Sequence, residues 1–219
     1  MVGNDVVDLL DPGLDAQIVR DRFDARICRA AECEAIRTAP DPARERWCHW
    51  AAKEASYKLL RKRAPETIFS PIRFEVEFAP AGAAATFGGL EFERSGRVLH
   101  GAHRIDLVLS CRNGAAHAVA TWPDEPTGEC LAGFVRLGDE SPITPARHSL
   151  SVRELAIRAV ADQLGLPPAR LSIVKRGRIP EIHLDGAAIG ADLSLSHHGH
   201  VVAFASRMPS SRQLERLAS

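Results

Sequence analysis

From Pro42 to Pro65 no glycine or proline interrupts a run of good helix formers, and Asp41-Pro42 supplies an N-cap acceptor followed by a first-turn proline. The spacing predicts one long helix ending near Ala64. At about 100° per residue, Cys48, Ala51, Ala52, Ala55 and Leu59 fall in one apolar arc, while Glu54 and Lys58, four apart, lie side by side at its margin with Trp47. A carboxylate and an amine therefore sit where core gives way to cleft, and Lys53 points to the other flank. On spacing alone the Glu54 and Lys58 pair reads as a surface ion pair worth ~0.3–0.5 kcal/mol. The rest of the chain gives it a different meaning.

The 219 residues suffice for one large domain or two small ones, and 45% hydrophobic residues can fill a sizeable core. Lys plus Arg equals Asp plus Glu at 28 each, so nothing global draws the chain to nucleic acid or to an anionic membrane surface. Any polyanion it binds must be small and locally held. The five cysteines are odd in number and lack a Cys-x-x-Cys spacing, which favours reduced thiols over a disulfide framework. No apolar run approaches the ~18 residues needed to span a bilayer, and the opening residues are acidic where a secretion signal is basic. A cytoplasmic, monomeric protein is expected.

In chain order, Val2 to Leu10 reads as a buried strand that carries acids, among them Asp5, whose carboxylate needs either a cationic partner or a metal. Arg20 to Thr38 looks helical with an irregular piece near Cys28. Beyond the long helix, Ile72, Phe74, Val76 and Phe78 alternate with charged residues as in a half-buried antiparallel strand. Gly88-Gly89 and Ser95-Gly96 read as turns, Ile105 to Ser110 and Ala115 to Trp122 as strands, and Pro123 to Gly128 as a linker. The pattern then returns. Ile105-Asp106-Leu107-Val108-Leu109-Ser110-Cys111 aligns with Ala191-Asp192-Leu193-Ser194-Leu195-Ser196-His197, and Arg153-Glu154 to Arg158 echoes Lys53-Glu54 to Lys58. This predicts an α+β fold of two pseudo-symmetric lobes, each a small antiparallel sheet packed against a long helix, over residues 1–122 and 129–207, with a linker at 123–128 and a polar tail at 208–219.

Gly3-Asn4-Asp5, Lys53-Glu54-Ala55 with Lys58, the turn Gly177-Arg178-Ile179-Pro180, and Ser194-Leu195-Ser196-His197-His198-Gly199 together, in this order, resemble the 4'-phosphopantetheinyl transferase superfamily. Members move the phosphopantetheine arm of coenzyme A onto a serine of a carrier protein. The motif order resembles the short holo-acyl-carrier-protein synthases, within a chain of two-lobed length. The resemblance implies Mg²⁺ on Asp5 and Glu54, catalysis by Glu54, Lys58 and Asp5, and coenzyme A held by His197, Arg178, Lys175, Arg176, Lys53 and Ser196. It implies an acyl, polyketide or peptidyl carrier protein as partner. Val7 stands where long members often carry a third acid, and Asp8 follows it as an acid does in the short enzymes, so water is expected as the third metal ligand.

The chemistry also stands on the residues themselves. Attack on a pyrophosphate requires its charge to be neutralised, which Mg²⁺ on two carboxylates with substrate oxygens and waters achieves, while Lys58, one turn from Glu54, can meet the β-phosphate charge that grows as 3',5'-ADP leaves. Three other readings compete. A homologue lacking turnover could keep the fold as a carrier-protein or coenzyme A binding module; a metal phosphohydrolase would want a paired-acid or His-Asp motif that is missing. A zinc site on Ser-His-His-Gly-His is disfavoured because His197 and His198 face opposite ways on a strand.

Overall fold

The computed structural model describes residues 1–14, 23–80, 85–87, 90–125, 130–138, 143–177 and 179–209. Its long helix, α3 (Pro42–Arg63), follows α1 (Phe23–Ile27) and α2 (Ala30–Thr38) and begins as the sequence specifies, with the Asp41 carboxylate accepting from the Arg44 amide at 3.0 Å. The arc of Cys48, Ala51, Ala52, Ala55 and Leu59 is buried. Its alanines let strand β1 (Val2–Asp8) approach very closely: a Cβ on Gly3 would lie 2.1 Å from the Ala55 carbonyl oxygen. Only glycine fits there, so the glycine of the Gly3-Asn4-Asp5 motif is a packing requirement.

Around this contact the first lobe builds an antiparallel sheet from β2 (Glu75–Phe78), β5 (Arg94–His100), β6 (His103–Arg112) and β7 (Ala115–Thr121), in the order β1-β7-β6-β5-β2, with β3 (Ala85–Phe87) and β4 (Leu90–Phe92) pairing separately. The second lobe comprises β8 (Cys130–Arg136), the helix α4 (Pro145–Leu164), β9 (Leu171–Arg176), β10 (Ile179–Leu184), β11 (Ala187–His198) and β12 (Val201–Arg207), in the order β8-β12-β11-β10-β9. Position for position the two sheets have one topology. The registers agree as well: Ser110 faces His117 and Cys111 faces Ala116 in the first sheet, as Ser196 faces Ala203 and His197 faces Val202 in the second. The fold is α+β with two pseudo-symmetric lobes, as the internal repeat predicts.

Two local expectations are corrected. The strand expected from Ile72 starts only at Glu75, because Pro71, which has no N–H to give a ladder, opens a single 3₁₀ turn over Pro71–Arg73. Ser95-Gly96 is no turn but the interior of β5. There Gly96 pairs with both Phe78 and Leu107, and a Cβ would stand 2.6 Å from the Glu77 carbonyl oxygen. The turn expected at Gly88-Gly89 and the tail from residue 210 onward lie outside the described residues.

Lys53 is also relocated. It does point away from Glu54, but into the core between α2, α3 and β2, where it is fully buried and donates to both Glu32 carboxylate oxygens, at 2.7 and 2.9 Å, and to the Phe74 carbonyl. Glu32 accepts in addition from the Val76 amide at 2.8 Å and the Arg29 amide at 2.7 Å. Every strong valence of the pair is therefore used inside the first lobe, and the expected contact of Lys53 with coenzyme A is withdrawn. Removing one member leaves the other charge buried alone, so Lys53→Met should cost ~3–5 kcal/mol of stability in denaturant titration. A loss below ~1 kcal/mol, the scale of an exposed pair, would mean that the ion pair is solvated.

Candidate functional site between the lobes

The amides of β1 that point away from β7 are taken up by side chains of β11. Asn4 N–H donates to Ser194 Oγ at 3.0 Å, Val6 N–H to Ser196 Oγ at 3.4 Å, Asp8 N–H to His198 Nδ1 at 3.3 Å, and Val2 N–H to the Asp192 carboxylate. Alternate residues of one strand thus satisfy alternate residues of the other, which places the first lobe's edge on the second lobe's sheet. Lys62 rivets one end of this seam, its ammonium reaching Asp192, the Val2 carbonyl at 2.7 Å and the Leu193 carbonyl at 3.0 Å. At the other end Arg136 grips the buried Asp8 with two bonds of 2.6 and 3.0 Å. Burial pushes the Asp8 carboxyl up, but Arg136 and the His200 and Leu10 amides outweigh it and hold it below 3.8. Asp8 is committed to the seam, which accounts for its failure to add a third acid to the site.

The seam carries Asp5 into contact with α3. Asp5 Oδ1 accepts from Lys58 Nζ and from Ser196 Oγ, each at 2.7 Å, and Lys58 Nζ also reaches Ser196 Oγ at 3.1 Å. The Ser196 hydroxyl is saturated: its proton goes to Asp5, and its lone pairs receive Lys58 and the Val6 amide. Glu54 stands at 3.8 Å from Lys58 Nζ, its nearest partner among the described residues. Burial, with Asp5 adding repulsion and Lys58 opposing it, raises the Glu54 carboxyl above its ordinary 4.5. Two carboxylates share one ammonium, and Asp5 Oδ2 receives no hydrogen bond among the described residues.

Two hollows open from this cluster and share Lys58, Leu195 and His197, forming one cleft along the seam. The smaller, about 410 Å³, holds Asp5, Glu54, Trp47 and Trp50; the larger, about 530 Å³, is lined by Lys58, Arg61, Lys62, Arg153, Lys175 and Arg176 with Val152, Pro180 and Leu193 as apolar walls. No acidic residue lines the larger hollow among the described residues. His197 stacks on His148 with ring centroids 4.5 Å apart and planes 11° from parallel, and His148 Nε2 donates to the Gly199 carbonyl at 2.7 Å. Partial burial, His148 and Lys58 together keep His197 below the usual imidazole value of 6.5. Asp5, Glu54, Lys58, Ser196, His197, Lys175 and Arg176 are therefore gathered along one cleft, whereas Lys53 is not; Arg178 lies outside the described residues. Arg61, Lys62, Arg153 and His148 are not marked as site residues by the sequence reading. Lys62 could have been found, since 54, 58 and 62 form one i,i+4 stripe on α3; His148 and Arg153 could not, because only the packing of α4 brings them to the seam.

The internal symmetry generates a second place of the same kind, and it lacks the acid and imidazole of the first. By register the position of Asp5 is held there by Gly133, that of His197 by Cys111 and that of Ser196 by Ser110, whose buried hydroxyl has no partner among the described residues. Glu154 and Arg158, the echoes of Glu54 and Lys58, are exposed with 4.0 Å between them. One cleft of the two is equipped.

The sequence profile of the 4'-phosphopantetheinyl transferase superfamily matches residues 1–120, which include Asp5, Glu54 and Lys58. No curated protein matches the chain. Among solved structures, the holo-[acyl-carrier-protein] synthase of Thermotoga maritima aligns with 83% of this chain and 81% of its own at 17% identity and a TM-score of 0.38. With more than half its length matched by the family's profile, this chain belongs to the 4'-phosphopantetheinyl transferase superfamily.

Proposed function

We propose that the chain transfers the 4'-phosphopantetheine arm of coenzyme A to a serine of an acyl, polyketide or peptidyl carrier protein, in the manner of a holo-[acyl-carrier-protein] synthase, and releases 3',5'-ADP. The observation that carries this reading is the juxtaposition of an acid–amine cluster, Asp5, Glu54 and Lys58, with a hollow that is lined by cations and, among the described residues, by no acid. Such a hollow suits a ligand with several phosphates and a flat base. Lys175, Arg176, Arg153 and His197 are the groups available to phosphate oxygens, with Val152 and Pro180 offering apolar surface.

The donor set fits a divalent cation. Among the described residues Asp5 Oδ2 and the Glu54 carboxylate carry lone pairs without hydrogen bonds, and Glu54 is destabilised as an anion by burial and by Asp5. Bound there, Mg²⁺ would neutralise pyrophosphate charge as the bond to the leaving 5'-phosphate of 3',5'-ADP breaks. The protein groups divide the remaining work. Ser196 and Asp5 fix the Lys58 ammonium where it can donate to the leaving group's oxygens. Glu54, made more basic by its surroundings, or a water beside it, would take the proton of the attacking serine, with Trp47 and Trp50 lining that side of the hollow.

Incubation with coenzyme A, Mg²⁺ and a panel of apo carrier proteins, followed by weighing the carriers, tests the activity. One carrier should gain the phosphopantetheine mass, and gain by none while coenzyme A binds would favour a silent binding homologue. With the responsive carrier, Asp5→Ala and Glu54→Gln should each slow transfer by at least ~10²-fold at unchanged fold. Glu154→Gln, on the other side of the pseudo-symmetry, should stay within a few-fold of the parent. A dead but folded Glu154→Gln protein would contradict the assignment.

A further inference from the structure

Cys111, at the register position of His197, meets a side chain from the N-terminal part of its own lobe's long helix, as His197 meets His148. Here that side chain is Cys48, and the two sulfurs are 3.1 Å apart although both thiols are free. Contact of two thiols across 63 residues, in a place where the other lobe puts stacked imidazoles, has no part in the chemistry above.

We propose that Cys48 and Cys111 form a peroxide-reactive dithiol, a site of oxidative modification that closes to an intramolecular disulfide between α3 and β6. The environment separates the roles of the two thiols. Cys48 is 1% exposed in the helix–sheet core, whereas Cys111 is half-buried and opens onto a separate hollow of about 420 Å³ lined also by Arg44, Arg112, Asp41 and Trp47. Cys111 is therefore the thiol on the side from which peroxide would arrive. Arg44 donates to the Cys111 carbonyl at 3.1 Å and is paired at 3.4 Å with Glu93, which accepts from the Cys111 amide at 2.8 Å, so a guanidinium is held at the backbone of Cys111. The hydrogen bond from Cys48, together with Arg44, lowers the Cys111 thiol against the opposing effect of burial, while the same bond and burial push Cys48 up. Cys111 is thus the more acidic of the two thiols and Cys48 the one placed to donate to it.

The reaction balances with peroxide as the named oxidant. The Cys111 thiolate attacks one peroxide oxygen, the O–O bond breaks, and the product is Cys111 sulfenic acid with hydroxide, which takes a proton to become water. Cys48 sulfur then attacks Cys111 sulfur, the S–O bond breaks, and the departing hydroxide receives the Cys48 proton. Two thiols and one peroxide give one disulfide and two waters. Cys28 and Cys33 form the natural comparison, since their thiols are raised, mainly by burial, and Cys33 Sγ lies 3.9 Å from the Cys28 carbonyl oxygen.

The test treats the whole native protein with hydrogen peroxide, unfolds it in an alkylating reagent and maps peptides by mass. The expected result is a loss of two hydrogens, three alkylated cysteines where the untreated chain gives five, and a single crosslinked peptide pair containing Cys48 and Cys111, all reversed by a dithiol reductant. In Cys48→Ser the Cys111 sulfenic acid should persist and be trapped by dimedone, and in Cys111→Ser position 48 should stay unmodified. The parent map stands on its own if either variant folds poorly. A crosslink joining any other pair, five alkylatable thiols after treatment, or oxygen added to Cys48 in place of a crosslink would overturn the proposal.

Discussion

Everything in this molecule that concerns chemistry depends on how an edge strand is finished. β1 has one side paired with β7 and the other free, and a free row of amides is normally a liability. Here Asp192, Ser194, Ser196 and His198 of β11 accept those amides one after another, so a strand of the first lobe is completed by side chains of the second. Each such bond contributes only ~0.5–1.5 kcal/mol, but an amide left unmet would cost more than the bond gains. The two lobes are consequently held in one register, with Lys62 and the Asp8 and Arg136 pair closing the ends.

The same interaction explains why Asp5 and Ser196 behave as a unit. Between two amides that face β11, Asp5 projects its side chain into the seam, and the serine that receives the Val6 amide also donates to Asp5. Positioning and joining are thus performed by one hydroxyl. A duplicated fold has room for two such sites, yet the duplicate position of Asp5 is Gly133 and that of His197 is Cys111, so divergence at a few register positions has left one side equipped.

Much of this was legible in the sequence because it rests on local rules. Asp41-Pro42 announced the start of α3, the alanine arc announced its buried face, and the recurrence of Asp-Leu-x-Leu-Ser announced the second sheet. The motif residues gathered along the cleft, Asp5, Glu54, Lys58, Ser196 and His197, were also recognisable. What stayed hidden depends on tertiary neighbours. Lys53 and Lys58 are both lysines of one helix, and only the position of Glu32 on α2 makes the first a core ion pair. Gly96 looks like a turn residue until the approach of the Glu77 carbonyl shows that it is a glycine in a strand. His148 has no motif at all, since its meaning comes from the packing of α4 against the end of β11.

The central claim is that two similar lobes combine into a single composite site, with acids and amine from the first and basic and imidazole groups from the second. Calorimetric titration of coenzyme A into the protein tests it most directly. The account predicts one equivalent bound per chain. Two equivalents per chain would mean that each lobe carries its own site and that the seam is only a structural joint.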